Sequence, residues 1–72
     1  MRKQNKIKIT VNGKQITVNF KYSLKSLINK LELPIKKVAI ELNRQIVNKK
    51  RAGNIILKSG DKIEIVKFIG GG

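Results

Sequence analysis

The sequence predicts an α+β domain, a mixed sheet of four to five strands with a single helix packed on one face. Three observations predict it. Apolar residues alternate at period two near both ends and in the middle of the chain, and one intervening stretch switches to the helical period. The length, 72 residues, suffices for one modest core and not for a second.

Residues Lys6 to Asn12 set Ile7, Ile9 and Val11 on one side and Lys6, Lys8 and Thr10 on the other, the pattern of a half-buried strand. Asn12-Gly13 marks a tight hairpin turn, after which Ile16, Val18 and Phe20 alternate with Thr17 and Asn19 in a second strand. Ser23 is placed to cap a helix in which Leu24, Leu27, Ile28 and Leu31 fall on one stripe, with Lys25, Asn29 and Lys30 outside it and Pro34 to end it. Such a stripe could serve a partner helix, but a chain this short needs it for its own core. Val38, Ile40 and Leu42 alternate with Ala39 and Glu41 in a third strand, stopped by Asn43-Arg44, and Gln45-Ile46-Val47 reads as a short return strand. Residues 48–54 carry charge, Gly53 and no clear period, which indicates a surface loop or a distorted helical turn. Ile55, Ile56 and Leu57 bring the chain back to the core, Ser59-Gly60-Asp61 turns, and Lys62 to Ile69 form the final strand. One helix against one face of a mixed sheet, with a right-handed crossover that lets a later strand lie parallel to the first hairpin, is the layout of a β-grasp domain. Residues 1–69 are read as that single domain and residues 70–72 as a flexible glycine tail.

Composition excludes several chemistries. There is no cysteine and no histidine, which removes disulfides, thiolate metal sites and the commonest general base. The acidic residues Glu32, Glu41, Asp61 and Glu64 show no metal-ligand spacing, so no metal or cofactor is expected on this chain. A net charge of +13 points at first to nucleic acid or an anionic membrane. Against that, the cations are scattered lysines, with arginine only at positions 2, 44 and 51, and the aromatics are Phe20, Tyr22 and Phe68 alone. Neither bidentate phosphate recognition nor a base-stacking platform fits that set. The Lys, Ile and Asn excess matches an AT-biased genome. No apolar stretch approaches the roughly 20 residues of a membrane span, and no apolar leader follows the first residues, so the chain reads as soluble and cytoplasmic, or as belonging to a plastid stroma.

The last strand changes character along its length. Ile63 and Ile65 point to the side that meets the helix, whereas Val66 and Phe68 point to the face that carries Lys8, Thr10, Thr17, Asn19 and Glu41 on the other strands. Apolar residues on an otherwise polar face are docking candidates, and with Ile69 they lie immediately before Gly70, Gly71 and Gly72. A terminus without side chains can thread a narrow slot, and three extended residues reach about 10 Å. A frayed tail is the alternative reading of the same glycines. If the tail works, its reactive group is the Gly72 carboxylate, which becomes an acyl donor only after activation by a larger enzyme.

Val11-Asn12-Gly13, Val38-Ala39-Ile40-Glu41-Leu42-Asn43 with Gln45-Ile46-Val47, Gly60-Asp61 and the ending from Ile63 to Gly72 together resemble the ThiS family, the ubiquitin-like sulfur carriers of thiazole formation in thiamin biosynthesis. The resemblance runs from about Lys6 to the last residue. It implies a non-enzyme carrier. It further implies that Gly72 is adenylated by a ubiquitin-activating-like, ThiF-type enzyme using Mg and ATP, that a sulfur donor protein supplies sulfur, and that the resulting thiocarboxylate serves a ThiG-type thiazole synthase. Gly70 and Gly71 match the threading glycines. Where relatives often carry Pro-Arg and then Trp, this chain has Asn48, Lys49 and Ala52, so contacts of that loop are not carried over. The unusual basicity implies acidic partner surfaces. The related carrier of molybdopterin synthesis, a ubiquitin-like protein modifier and a basic RNA-binding module are the alternative readings.

Overall fold

Both hairpins form on asparagine turns. Asn12 (φ 49°) with Gly13 (φ 83°) and Asn43 (φ 51°) with Arg44 (φ 71°) all take left-handed backbone, the conformation that lets a two-residue turn follow the twist of paired strands. In the computed structural model, which describes residues 5–68, the first turn joins β1 (Lys6–Val11) to β2 (Lys14–Asn19) and the second joins β3 (Val38–Leu42) to β4 (Gln45–Ile46). Helix α1 (Leu24–Lys30) and a short 3-10 helix (Ile35–Lys37) lie between the hairpins. A second 3-10 helix (Lys49–Asn54) precedes β5 (Lys62–Lys67).

The strands form one sheet in the order β2-β1-β5-β3-β4. The last strand is therefore central, parallel to β1 and antiparallel to β3, as the crossover argument requires. One face is covered by α1 and the second 3-10 helix. Ile9, Val18, Val38, Ile40 and Ile63 from the strands meet Leu24, Leu27 and Ile28 from the helix, with Ala52 and Leu57 closing one side. Each fully buried Leu or Ile contributes about 1.5–3 kcal/mol relative to exposure, which makes this single layer the main source of stability.

Helix α1 starts where expected: the Ser23 hydroxyl accepts from the Ser26 N–H at 3.0 Å. It stops earlier than Pro34 would stop it. Glu32 takes φ 57°, its N–H donates to the Asn29 carbonyl (3.0 Å), and Leu33 N–H donates to the Ile28 carbonyl (3.2 Å), so a Schellman closure ends the helix. Leu31 consequently falls at the cap and is exposed, while Leu33 takes its place against the core. Pro34 instead leads into the first 3-10 helix. Phe20 also departs from expectation. Strand β2 ends at Asn19, and Phe20 turns outward with the Lys21 ammonium 5.7 Å from its ring centroid. The uncertain 48–54 segment is the second 3-10 helix, capped by the Asn48 side chain on Lys50 N–H and anchored by buried Ala52.

These placements set a stability contrast. Leu27→Ala should cost about 3 kcal/mol in urea unfolding, and Leu31→Ala less than about 1 kcal/mol. Equal losses would put Leu31 back in the core.

Candidate functional site

Strand β5 is held from both flanks by the turn asparagines. On the β3 side, Asn43 N–H donates to the Lys62 carbonyl (2.8 Å) and Lys62 N–H donates to Asn43 Oδ1 (2.9 Å). Asn43 Nδ2 also donates to Asp61 Oδ1 (3.0 Å), and Asp61 Oδ2 accepts from Lys58 N–H (2.8 Å), which ties the Ser59-Gly60-Asp61 turn to the second hairpin. On the β1 side, Asn12 N–H donates to the Ile63 carbonyl (2.9 Å). Past that point β1 has ended, and the Asn12 carboxamide substitutes for it. Ile65 N–H donates to Asn12 Oδ1 (2.7 Å), and Asn12 Nδ2 donates to the Ile65 carbonyl (3.2 Å). A side chain thus mimics a paired strand residue, extending β5's hydrogen bonding by two residues toward its end. The strand's far end is fixed by Phe68 N–H donating to the Lys37 carbonyl (2.9 Å).

The two faces of β5 divide as expected. Ile63 is buried and Ile65 half-buried against the helix layer, whereas Val66 is 62% and Phe68 57% exposed. Val66 lies opposite Ala39, and Ile46, 74% exposed, lies opposite Glu41. The exposed apolar surface therefore runs obliquely across β5, β3 and β4. Its border is charged. Glu41 and Glu64 face each other across β3 and β5, a like-charge pair that costs a few tenths of a kcal/mol by itself, and Arg44 and Lys62 share the same open depression of about 350 Å3.

Phe68 is braced as well as exposed. The Lys49 ammonium sits 5.5 Å from its ring centroid and donates to the Val38 carbonyl, linking the second 3-10 helix to the start of β3 and the end of β5. Sequence reasoning noted Lys49 only as a departure from relatives, and it gave Asn12 and Asn43 no role beyond turning the chain. The available signal was the repetition: an asparagine at the left-handed position of both hairpin turns. Ile69, Gly70, Gly71 and Gly72 lie outside the described residues. Among the described residues there is no group of three potential metal ligands, and no helix is long and apolar enough to cross a membrane.

A mixed five-stranded sheet with one helix across its inner face, closed by a central last strand parallel to the first, defines a ubiquitin-like β-grasp domain. The family model described as the ThiS family matches residues 5–72, and the chain belongs to that family of small carrier proteins. It resembles the crystal structure of the thiamine biosynthesis protein (ThiS) from Geobacter metallireducens with a TM-score of 0.76 and 30% identity, covering 92% of this chain and 100% of that one. A thiazole synthase of Paramagnetospirillum magneticum is 36% identical over 66 residues. A thiazole synthase of Magnetococcus marinus gives the same identity over the same length. This chain spans only 20% of each of those proteins. The uncharacterized protein ycf40 of Porphyra purpurea is 30% identical over 66 residues, 92% of this chain and 93% of that protein.

Because Val66 and Phe68 are mainly exposed, Val66→Ala and Phe68→Ala should each lower unfolding stability by less than about 1 kcal/mol. A loss of several kcal/mol at either position would show a core role.

Proposed function

We propose that this protein carries sulfur for thiazole formation in thiamine biosynthesis, with the Gly72 carboxylate as the group that reacts. A carboxylate oxygen attacks the α-phosphorus of ATP and pyrophosphate leaves, giving an acyl adenylate in the active site of a ubiquitin-activating-like enzyme that holds the ATP and Mg. Sulfur at the oxidation level of sulfide, supplied by a donor protein, then attacks the acyl carbon, the bond to the AMP oxygen breaks, and the thiocarboxylate passes to a thiazole synthase. The chain contributes no catalytic side chain. Its part is recognition by the folded body and reach by Gly70, Gly71 and Gly72, whose lack of side chains suits a narrow slot.

The observation that carries this reading is the ThiS match, which runs through residue 72. The geometry supports it: the tail follows in sequence the central strand of the sheet and the exposed Val66 and Phe68 that we assign, with Ile69, to partner docking. The partner assignment draws support from the two thiazole synthases, in which a segment similar to this chain belongs to the same polypeptide as the rest of the protein. The thiamine and thiazole names of the similar proteins favour this pathway over molybdopterin synthesis. We place the work in a cytoplasm or plastid stroma, with no membrane or nucleic-acid partner.

Incubation with the activating enzyme, Mg-ATP and a sulfur source should raise the intact mass by the difference between one sulfur and one oxygen. Deleting Gly72 should abolish that gain while leaving the unfolding curve unchanged. Sulfur loading of the truncated chain would refute the assignment of Gly72. Phe68→Ala should weaken the complex with the activating enzyme or the synthase by about tenfold, consistent with loss of an aromatic anchor. Unchanged affinity would remove Phe68 from the docking surface.

A further inference from the structure

The two 3-10 helices meet beside the end of β5 and enclose ground that the sulfur chemistry does not use. Ile35 and Lys36 from the first and Lys49 and Lys50 from the second line an open trough of about 350 Å3. Its lining is almost wholly apolar, because the lysines contribute their aliphatic stems along with the Ile35 side chain. Lys36 and Lys50 are exposed, and none of the four acidic residues lines the trough. It adjoins the tail's point of departure. Lys49 covers the Phe68 ring, and the Phe68 N–H is bonded to Lys37, next in the chain to Lys36.

An apolar floor with cations around it selects the opposite pattern in its occupant. We propose that the trough takes an acidic segment with a single apolar anchor, presented by the partner protein that receives the tail. The identity of that partner rests on the carrier reading; the binding chemistry does not. Charge complementarity carries the choice, since exposed Lys36 and Lys50 line the trough with Ile35 and the chain as a whole carries a net charge of +13. Nucleic acid fits less well. The trough offers stems and an isoleucine where a base would need an aromatic face.

The test is a titration of the isotope-labelled full chain with a synthetic peptide of glutamates around one leucine, with the same peptide carrying alanine instead, and with an oligouridylate. Amide shifts should concentrate at residues 35–37, 49–51 and 68, and the leucine peptide should bind about tenfold more tightly than the alanine peptide. Ile35→Ala should erase that preference. The double variant Lys36→Glu, Lys50→Glu, at exposed positions that leave the core untouched, should weaken both peptides by about tenfold and flatten their salt dependence. Shifts spread evenly over the lysine-bearing faces, no preference for leucine, or tighter trough binding by oligouridylate would overturn the proposal. The double variant should still load sulfur fully when activating enzyme is in excess but need more of it for half-maximal rate. A wild-type chain that never gains sulfur would overturn the carrier reading and leave the peptide result standing.

Discussion

The insertion of β5 between two hairpins is the constraint that organises this molecule. Neither hairpin pairs with the other; beyond their own hairpin partners, β1 and β3 pair only with the last strand, one parallel and one antiparallel. Without β5 the sheet is two separate ribbons, each too small to be stable alone. The β1 side supplies little regular pairing, because the parallel ladder covers only Thr10 with Lys62 and Val11 with Ile63. Asn12 makes up the deficit with its side chain, and Asn43 does the corresponding work at the strand's start. Two residues chosen for left-handed turns thus also set the register of the strand that closes the fold.

That constraint bears directly on how a tail could be presented. The strand is held on both flanks as far as Ile65, and the chain is held at Phe68 by Lys37, so its course is fixed up to that residue. The alternation of β5 then divides its side chains, sending Ile63 into the core and Val66 outward within three residues. Under the proposed docking role of Val66 and Phe68, stability and recognition draw on opposite faces of one strand. Lys49 connects them, since it packs on Phe68 while bonding the carbonyl of buried Val38.

Much of this was legible in the residues because it rests on local patterns. The Asn12-Gly13 hairpin, the Ser23 cap and the inward and outward sides of β5 follow from turn chemistry and from period two against period 3.6. What escaped rests on competition between neighbours. Leu31 and Leu33 both suit a core stripe, and the choice fell to Leu33 because a left-handed Glu32 closed the helix before Pro34 could. Ala52 is too small and too isolated among charges to signal burial, yet it is the contact that seats the second 3-10 helix. Phe20 continues the alternation of β2 on paper, but the strand ends at Asn19 and the Phe20 ring is left exposed. The bonds from Asn12 to Ile65 span 53 positions and leave no local trace. At the candidate site, Val66 and Phe68 were legible as outward-facing, while the Lys49 brace was not.

Native-state amide exchange along β5 measures that grip directly. With the Asn12 carboxamide in place of a neighbouring strand, the Ile65 N–H should exchange as slowly as the amides of the core strands, through global unfolding alone. In Asn12→Gly, which keeps the turn's backbone conformation and removes the carboxamide, Ile65 should exchange at least tenfold faster relative to the amides of β3, about the effect of one lost hydrogen bond. An Ile65 amide that already exchanges rapidly in the wild-type chain, or one that Asn12→Gly leaves unchanged, would contradict the role given to Asn12 in holding the strand from which the tail departs.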